Sequence, residues 1–585
     1  MGSHARQFGP RIDAHGVTFR LWAPAARSVD LLLGDETRPM KQRGGWYELS
    51  CAGGRSGLLY RFRIDGEIEV PDPASRFQPQ DVHGPSLVTD DAFDWTCAEW
   101  RGRPWHEAAF LELHVGTFTP QGTFRAAIDR LASIADMGFT AIELMPVADF
   151  PGRWNWGYDG VLLFAPDRCY GTPQDLKALI DAAHGHGLMV FLDVVYNHFG
   201  PEGNYLGRYA PAFFMSAGTP WGEAIDYRVP EVRRFAVENA LYWLEDFRFD
   251  GLRLDAVHAI VEPGRTLLLQ DLDEAAGTLA EETGRHIHLV LENDDNCARL
   301  LDPQAKARTC IRAQWNDDYH HAWHVALTGE SKGYYRDYPE PRALVARALA
   351  EGFVYQGEPS AHRGGIARGE RSRHLPPTAF VNFLQNHDQI GNRARGERLA
   401  ELAPPEALAA ALAITLLAPS PPLLFMGDEW GTRRRFPFFC DFHGELAEAV
   451  RQGRRKEFAE AYADSGDGIP DPLLESTVAQ TRLDWSEAAE PPHQERLDLV
   501  RRLLQARRRW IVPLLPSLKP GDAASVWQGD LLNASWGLND GRRLSLVANF
   551  SGGPQIARAA RGVTIWGEGA DRLAPWSVRA TLEPA

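Results

Sequence analysis

Residues 251–258 read GLRLDAVH and residues 190–198 read VFLDVVYNH. Each is a strand-sized apolar run that ends in polar chemistry. The first delivers Arg253, Asp255 and His258, and the second Asp193, Asn197 and His198. Six more runs share the pattern: FLELHVG (110–116), TAIELMPV (140–147), HLVLEND (288–294), TCIRAQWND (309–317), FVNFLQNHD (380–388) and PLLFMGDEW (422–430). Between many of them the apolar residues recur at helical spacing. Eight strands in order, separated by helices, predict an α/β fold of the (β/α)₈ TIM-barrel type.

The helices carry their own start and stop signals. Thr123 precedes FRAAIDRLASIADM and Gly138 follows it, a cap at each end. EVRRFAVENALYWLEDF starts after Pro230, and ERLDLVRRLLQARRRW ends near Trp510. Residues 148–173 are rich in Trp, Gly and Asp and predict a long functional loop after the second strand. Before the barrel, GVTFRLWAP, SVDLLLG, GGWYELS and GLLYRFRIDG read as the strands of a small β-sandwich. Beyond Pro520, runs such as RLSLVANFS predict a small C-terminal β-sandwich. The expected division is 6–95, 96–510 and 511–585.

The chain has 585 residues, with 62 Lys and Arg against 78 Asp and Glu. The resulting net charge of −16 argues against nucleic acid or an anionic membrane as the main partner. The 18 Trp residues suit a cleft for sugar rings, whose flat C–H faces stack on aromatics, and equally suit a large core. Six scattered cysteines without a CxxC pair read as reduced thiols. There is no apolar run of membrane-spanning length, and MGSHARQFGP lacks a signal-peptide core, so a cytoplasmic location is expected.

Active sites in this fold lie at the carboxyl ends of the strands. There the sequence places Asp193, Asn197 and His198, then Arg253, Asp255 and His258, then Glu292, then Asn386, His387 and Asp388. Any one of these acids is readily a helix cap or a satisfied core contact. Gathered on one rim in barrel order, they suit glycoside cleavage. A retaining mechanism needs a nucleophilic carboxylate and an acid/base carboxyl about 5–5.5 Å apart. An adjacent Arg keeps the nucleophile ionised, and desolvation or like charge keeps the acid protonated.

DVVYNH, GLRLDAVH, LENDD and FLQNHD fall in the order and spacing of the four motifs of the α-amylase superfamily, which this chain resembles over the whole barrel. The resemblance implies that Asp255 is the nucleophile, Glu292 the general acid/base and Asp388 the transition-state stabiliser. It implies that His198, Arg253 and His387 surround the sugar, with Tyr158 of NWGYDG stacking beneath it; Asp193, His258 and Asn386, on the same rim, are expected to bind substrate too. GVTFRLWAPAA with VDLLL resembles the glycogen-associated sandwich of the branch that holds branching enzymes, debranching enzymes and maltooligosyltrehalose trehalohydrolases.

Three segments resemble the trehalohydrolases: FLELHVGTFTPQGTF with LMPVADFPGRWNWGYDG, WNDDYHHAWHVALTGESKGYYRDY, and RRRFPFFCDFHGELAEAVRQGRRKEF. Asp159 stands where branching enzymes tend to carry Gln. The implied reaction is hydrolysis of the α-1,4 bond next to the terminal trehalose of a maltooligosyltrehalose. The implied upstream partner is the synthase that makes this substrate, with no physical contact required. Asp317, Asp318, Tyr319, His320 and His321 then hold the trehalose side or order the cleft; a helix start with a capping Asp is the plainer alternative. Trp156 and Trp315 read as sugar platforms or as plugs of the rim.

MGDEWGT departs from the MGEEYG of many relatives, a change expected to bear on the leaving-group subsite. Asn197 has the position of a calcium-binding Asn in many α-amylases, but one Asn is not a site for an ion that takes six to eight oxygens. No metal and no cofactor are expected, and a monomer is. The other readings are a branching or debranching enzyme and a noncatalytic glycan-binding scaffold. An intact trio of Asp255, Glu292 and Asp388 argues against the scaffold.

Overall fold

The computed structural model describes residues 6–90, 92–219, 222–260, 267–302, 309–459 and 468–585. Residues 1–5, half of the stretch read for a signal peptide, lie outside them. The eight apolar runs form one sheet of β1 (Phe110–Leu113), β2 (Ala141–Leu144), β3 (Met189–Val194), β4 (Gly251–Leu254), β5 (His288–Leu291), β6 (Ile311–Trp315), β7 (Phe380–Val381) and β8 (Leu423–Phe425). Each pairs in parallel with its successor through β7, and β8 pairs back onto β1 with Phe110 opposite Leu423. Between β7 and β8 a parallel bridge joins Asn382 to Pro422, so the barrel closes.

Alternation along the strands separates two layers inside the barrel. The lower inward positions are apolar, with Phe110, Phe191, Val290, Ala313 and Leu423 in one cluster under Trp105. Two residues further on, β1 and β3 turn Glu112 and Asp193 inward, paired with Glu143 of β2 and Arg253 of β4, all buried. Polar groups therefore concentrate at the carboxyl-terminal mouth. Gly251 makes the lower layer possible, since a Cβ there would lie 2.2 Å from the Phe191 ring and 2.4 Å from the His288 carbonyl oxygen. Gly251→Ala is expected to destabilise the chain by about 1–3 kcal/mol, as overpacking does, and thermal melting checks it.

The helix Phe124–Met137 obeys its signals: the Thr123 hydroxyl accepts the Ala126 N–H, and Gly138 leaves it at φ +107°. The helix Pro230–Leu241 stops short of the predicted end, the chain widening into a π turn at Tyr242–Asp246. The predicted loop after β2 is partly ordered as a strand pair, Ala148–Asp149 with Leu162–Pro166. The Pro173–Gly185 helix follows it with a Thr172/Asp175 capping box.

At the N-terminal side Gly16–Trp22 pairs with Trp46–Ala52 in one antiparallel sheet and Val29–Leu33 with Leu59–Ile64 in another. Phe19 and Tyr60 meet between the sheets with ring centroids 4.8 Å apart. The C-terminal part is a five-stranded antiparallel sheet that opens with Leu518–Gln528, a few residues later than the expected boundary. The Trp536 indole N–H donates to the Leu349 carbonyl at 3.1 Å and ties this sheet to the barrel helix Pro341–Glu351. Among the described residues, no helix is long and apolar enough to cross a membrane.

Candidate active site

Arg253 is the hub. It projects from β4, is 1 % exposed, and lies 4.1 Å over the Trp315 ring. Its Nη1 donates to Asp193 Oδ2 at 2.8 Å and to Asp255 Oδ1 at 2.7 Å, while Nη2 lies 3.0 Å from Glu292 Oε2. Burial by itself would lower the pKa of the guanidinium, but the carboxylates around it raise it well above its ordinary range. One planar fork thus fixes Asp255 and Glu292 side by side.

Ala256, the residue after Asp255, has φ +39° and ψ +52°, a left-handed conformation uncommon outside glycine. That turn aims its N–H at Glu292 Oε2, 2.7 Å away. Asn197 donates from Nδ2 to Asp255 Oδ2 at 3.0 Å and offers its oxygen to His198 Nδ1, so its side chain is engaged in the site network. Asp388 lies in the first turn of the short helix His387–Gly391, where Asn386 Oδ1 of the cap accepts its N–H at 2.9 Å. Desolvation raises the pKa of Glu292 against the pull of Arg253, with nearby Asp255 adding to the rise. Burial likewise raises Asp388, which His387 counteracts and Glu292 reinforces.

These groups face a cleft of about 550 Å³. Tyr158, His198, Arg253, His258, Asp317, His321 and His387 line it with Asp255, Glu292 and Asp388. Asp193 and Asn386 stand behind the lining, 2 % and 0 % exposed. The DDYHH segment divides. Asp318 is buried in the cleft wall, where it accepts the N–H groups of Val354 and Tyr355 at 2.7 and 2.9 Å and pairs with Arg368 at 2.9 Å. The Tyr319 hydroxyl meets Thr415, and His320 sits between the Leu384 carbonyl and the Tyr335 hydroxyl, away from the cleft. The helix starts at Asp317, yet Asn316 holds the cap position and makes no side-chain cap bond. Asp317 is pushed well above the carboxylate range by burial and by Glu292, Asp294 and Asp388.

The two tryptophans also part company. Trp156 lines the cleft, stacked on Phe436 at 5.4 Å, whereas Trp315 is the floor beneath Arg253. The MGDEWGT departure does not reach the cleft. Asp428 accepts from Gln385 and Arg398, and Trp430 packs against Trp485. The expected bearing on a leaving-group subsite is therefore corrected: these side chains brace the turn that follows β8 against Gln385, Arg398 and Trp485.

Sequence reasoning passed over Glu112, whose oxygens meet His387 twice, and the cleft-wall ion cluster of Asp294 with Arg363 and Arg368. An acid inside the apolar run FLELH was a usable signal for Glu112. Nothing local marks Arg368, which lies 113 residues beyond Asp255 in the chain and joins the site through a strand pair, Glu358–Ser360 with Ile366–Arg368.

Residues 91–211 match the family described as alpha amylase, catalytic domain, and residues 2–76 match carbohydrate-binding module 48, the isoamylase N-terminal domain. A malto-oligosyltrehalose trehalohydrolase from Deinococcus radiodurans is 42% identical over 88% of this chain and 85% of its own. One from Rhizobium sp. is 40% identical over 92% of this chain and 91% of its own. The crystal structure of a Salmonella typhimurium protein, provisionally described as an alpha amylase, superposes with a TM-score of 0.94 at 44% identity, covering 99% of this chain and 100% of that one.

Proposed function

The chain belongs to the malto-oligosyltrehalose trehalohydrolases of the α-amylase class, and from that premise we propose the roles its cleft residues play. The reaction is hydrolysis of malto-oligosyltrehalose with release of trehalose. We assign Asp255 as the nucleophile that attacks the anomeric carbon while Glu292 gives its proton to the departing oxygen of trehalose. The glycosyl–Asp255 ester is then hydrolysed by water, from which Glu292 takes a proton back. Asp388 stabilises the positive charge that develops on the sugar ring. The observation that carries this reading is the single guanidinium of Arg253 bound to both Asp255 and Glu292.

Tyr158 and His387 supply the wall beside the reacting sugar, and Asp317 and His321 contact the substrate further along the cleft. We take residues 6–95, 96–510 and 511–585 as the working domain division, with the first bracing the barrel. The catalytic set comes from one chain, which supports action as a monomer. Unpaired cysteines at all six positions support a cytoplasmic location, downstream of the synthase that makes the substrate.

Incubation of the protein with malto-oligosyltrehalose is expected to yield trehalose and the shortened maltooligosaccharide in equal amounts. Amylose and maltopentaose should be attacked slowly. New α-1,6 branches in amylose without trehalose release would refute the assignment.

The pH profile follows from Glu292. Its pKa is raised, so it keeps its proton above the ordinary carboxyl range, and activity falls as pH rises through that value. The alkaline limb of kcat/KM should therefore lie above the ordinary carboxyl pKa. Glu292→Gln is expected to remove that limb and lower kcat by about 10²–10⁴-fold.

A further inference from the structure

Glu112, Glu143 and Asp193 are three buried acids inside the barrel mouth that the chemistry just described does not consume. We infer that Glu112 is a positioning residue that keeps both ring nitrogens of His387 protonated, so that His387 and Tyr158 stay locked together as one wall of the sugar site. The inference rests on the reading of this cleft as the site of glycoside cleavage.

A proton inventory carries it. Tyr158 has one hydroxyl proton. Its oxygen lies 2.6 Å from Asp193 Oδ2 and 2.8 Å from His387 Nε2. Asp193 Oδ2 also accepts Arg253 Nη1–H at 2.8 Å. An oxygen that takes a bond from a guanidinium is the acceptor oxygen of its carboxyl group, whether or not the other oxygen is protonated. Tyr158 therefore donates to Asp193 and presents a lone pair to His387. Nε2 must then carry hydrogen.

The other face of the ring closes the inventory. His387 Nδ1 is hydrogen-bonded to Glu112 Oε1, and Glu112 Oε2 accepts the His387 backbone N–H at 3.2 Å. Glu112 is 1 % exposed and grips both ends of the residue, which holds the ring at 23° to Tyr158 with centroids 5.2 Å apart. Glu112 favours a proton on the ring through its charge and its hydrogen bond to Nδ1, and a phenolic lone pair faces Nε2, so both nitrogens donate.

The remaining groups around the ring are consistent with this. Arg253 opposes a charge on His387, while Asp388 favours it, and burial alone would remove it. His114, also on the β1 side, is itself neutral, since burial pushes it down to about 4. Glu143, in register with Glu112 across β1 and β2, is raised well above the carboxylate range by burial and by Glu112 and Asp193. Trp156 and Trp315 complete the surround without titrating.

Glu112→Gln tests the inference, with histidine nitrogen spectra assigned through a His387→Gln reference. In the wild-type chain both His387 nitrogens are expected to be protonated at pH 7.5. In Glu112→Gln the His387 titration should move down by about one pH unit or more. The loss in kcat/KM should be about tenfold or more at pH 8 and close to within about threefold at pH 5.5, where solvent restores the proton. Glu112→Asp, which keeps the charge, should retain the wild-type shape of the profile. A loss that is equal at both pH values means a merely structural Glu112 and overturns the inference. So does a neutral His387 in the wild-type chain at pH 7.5, a measurement that stands even where Glu112→Gln does not fold. Trehalose release that survives Asp255→Asn would instead overturn the reading of the cleft.

Discussion

Asp255→Asn is expected to abolish trehalose release, with kcat down by on the order of 10⁴-fold or more, the scale seen when one member of a hydrolytic catalytic unit is removed. The amide is isosteric, so the fold has no steric reason to change. It cannot form the glycosyl ester, however, because an amide oxygen is a poor nucleophile at an anomeric carbon. It also loses the charge that faces Arg253 Nη1 at 2.7 Å. Thermal melting should remain within a few degrees of wild type, and substrate should still bind, as equilibrium calorimetry on the inactive variant would register. Turnover within tenfold of wild type would show that another carboxylate of the cleft attacks.

Arg253→Met is expected to damage stability and activity together. The side chain is nearly isosteric along its stem and can still rest on Trp315, so packing loss is small. What disappears is the guanidinium that touches Asp193, Asp255 and Glu292 at once. Breaking a buried ion pair from one side costs about 3–5 kcal/mol, because the abandoned charge remains in low dielectric. The abandoned carboxyls would take up protons, with folded pKa values above their unfolded ones. Such a group stabilises the folded state below its unfolded pKa and loses that contribution as pH rises through the folded value. The deficit of Arg253→Met should therefore grow from pH 5 to pH 8 in denaturant titrations, and a deficit independent of pH would contradict this account. Arg253→Lys should recover little, since an ammonium lacks the planar fork that spans two carboxylates.

Much of this protein was legible before any coordinates. The eight apolar runs became eight strands in the same order, because a parallel strand covered on both faces must be apolar throughout and leaves a visible mark. Thr123 and Gly138 bounded a helix where they were expected to, since capping is local chemistry. The residues that end β3, β4, β5 and β7 were recognisable as a group because the barrel repeats its connection, so every strand brings its last residues to the same rim.

Where several side chains compete for neighbours, the sequence was silent. Five consecutive residues, Asp317 to His321, read as one functional block, yet helical geometry turns Asp317 and His321 to the cleft, Asp318 into its wall, and Tyr319 and His320 away from it. Trp156 and Trp315 looked equivalent until one lined the cleft and the other lay beneath a guanidinium. Glu112 and Arg368 escaped notice because their roles are set by partners 275 and 50 residues away. The sequence by itself determined which strands exist, their order and the rim where the chemistry gathers, since those follow from short-range pattern and a repeated connection. Only the tertiary structure decided which acid meets which base, because hydrogen-bond partners and desolvation are properties of contacts between segments that the chain does not place side by side.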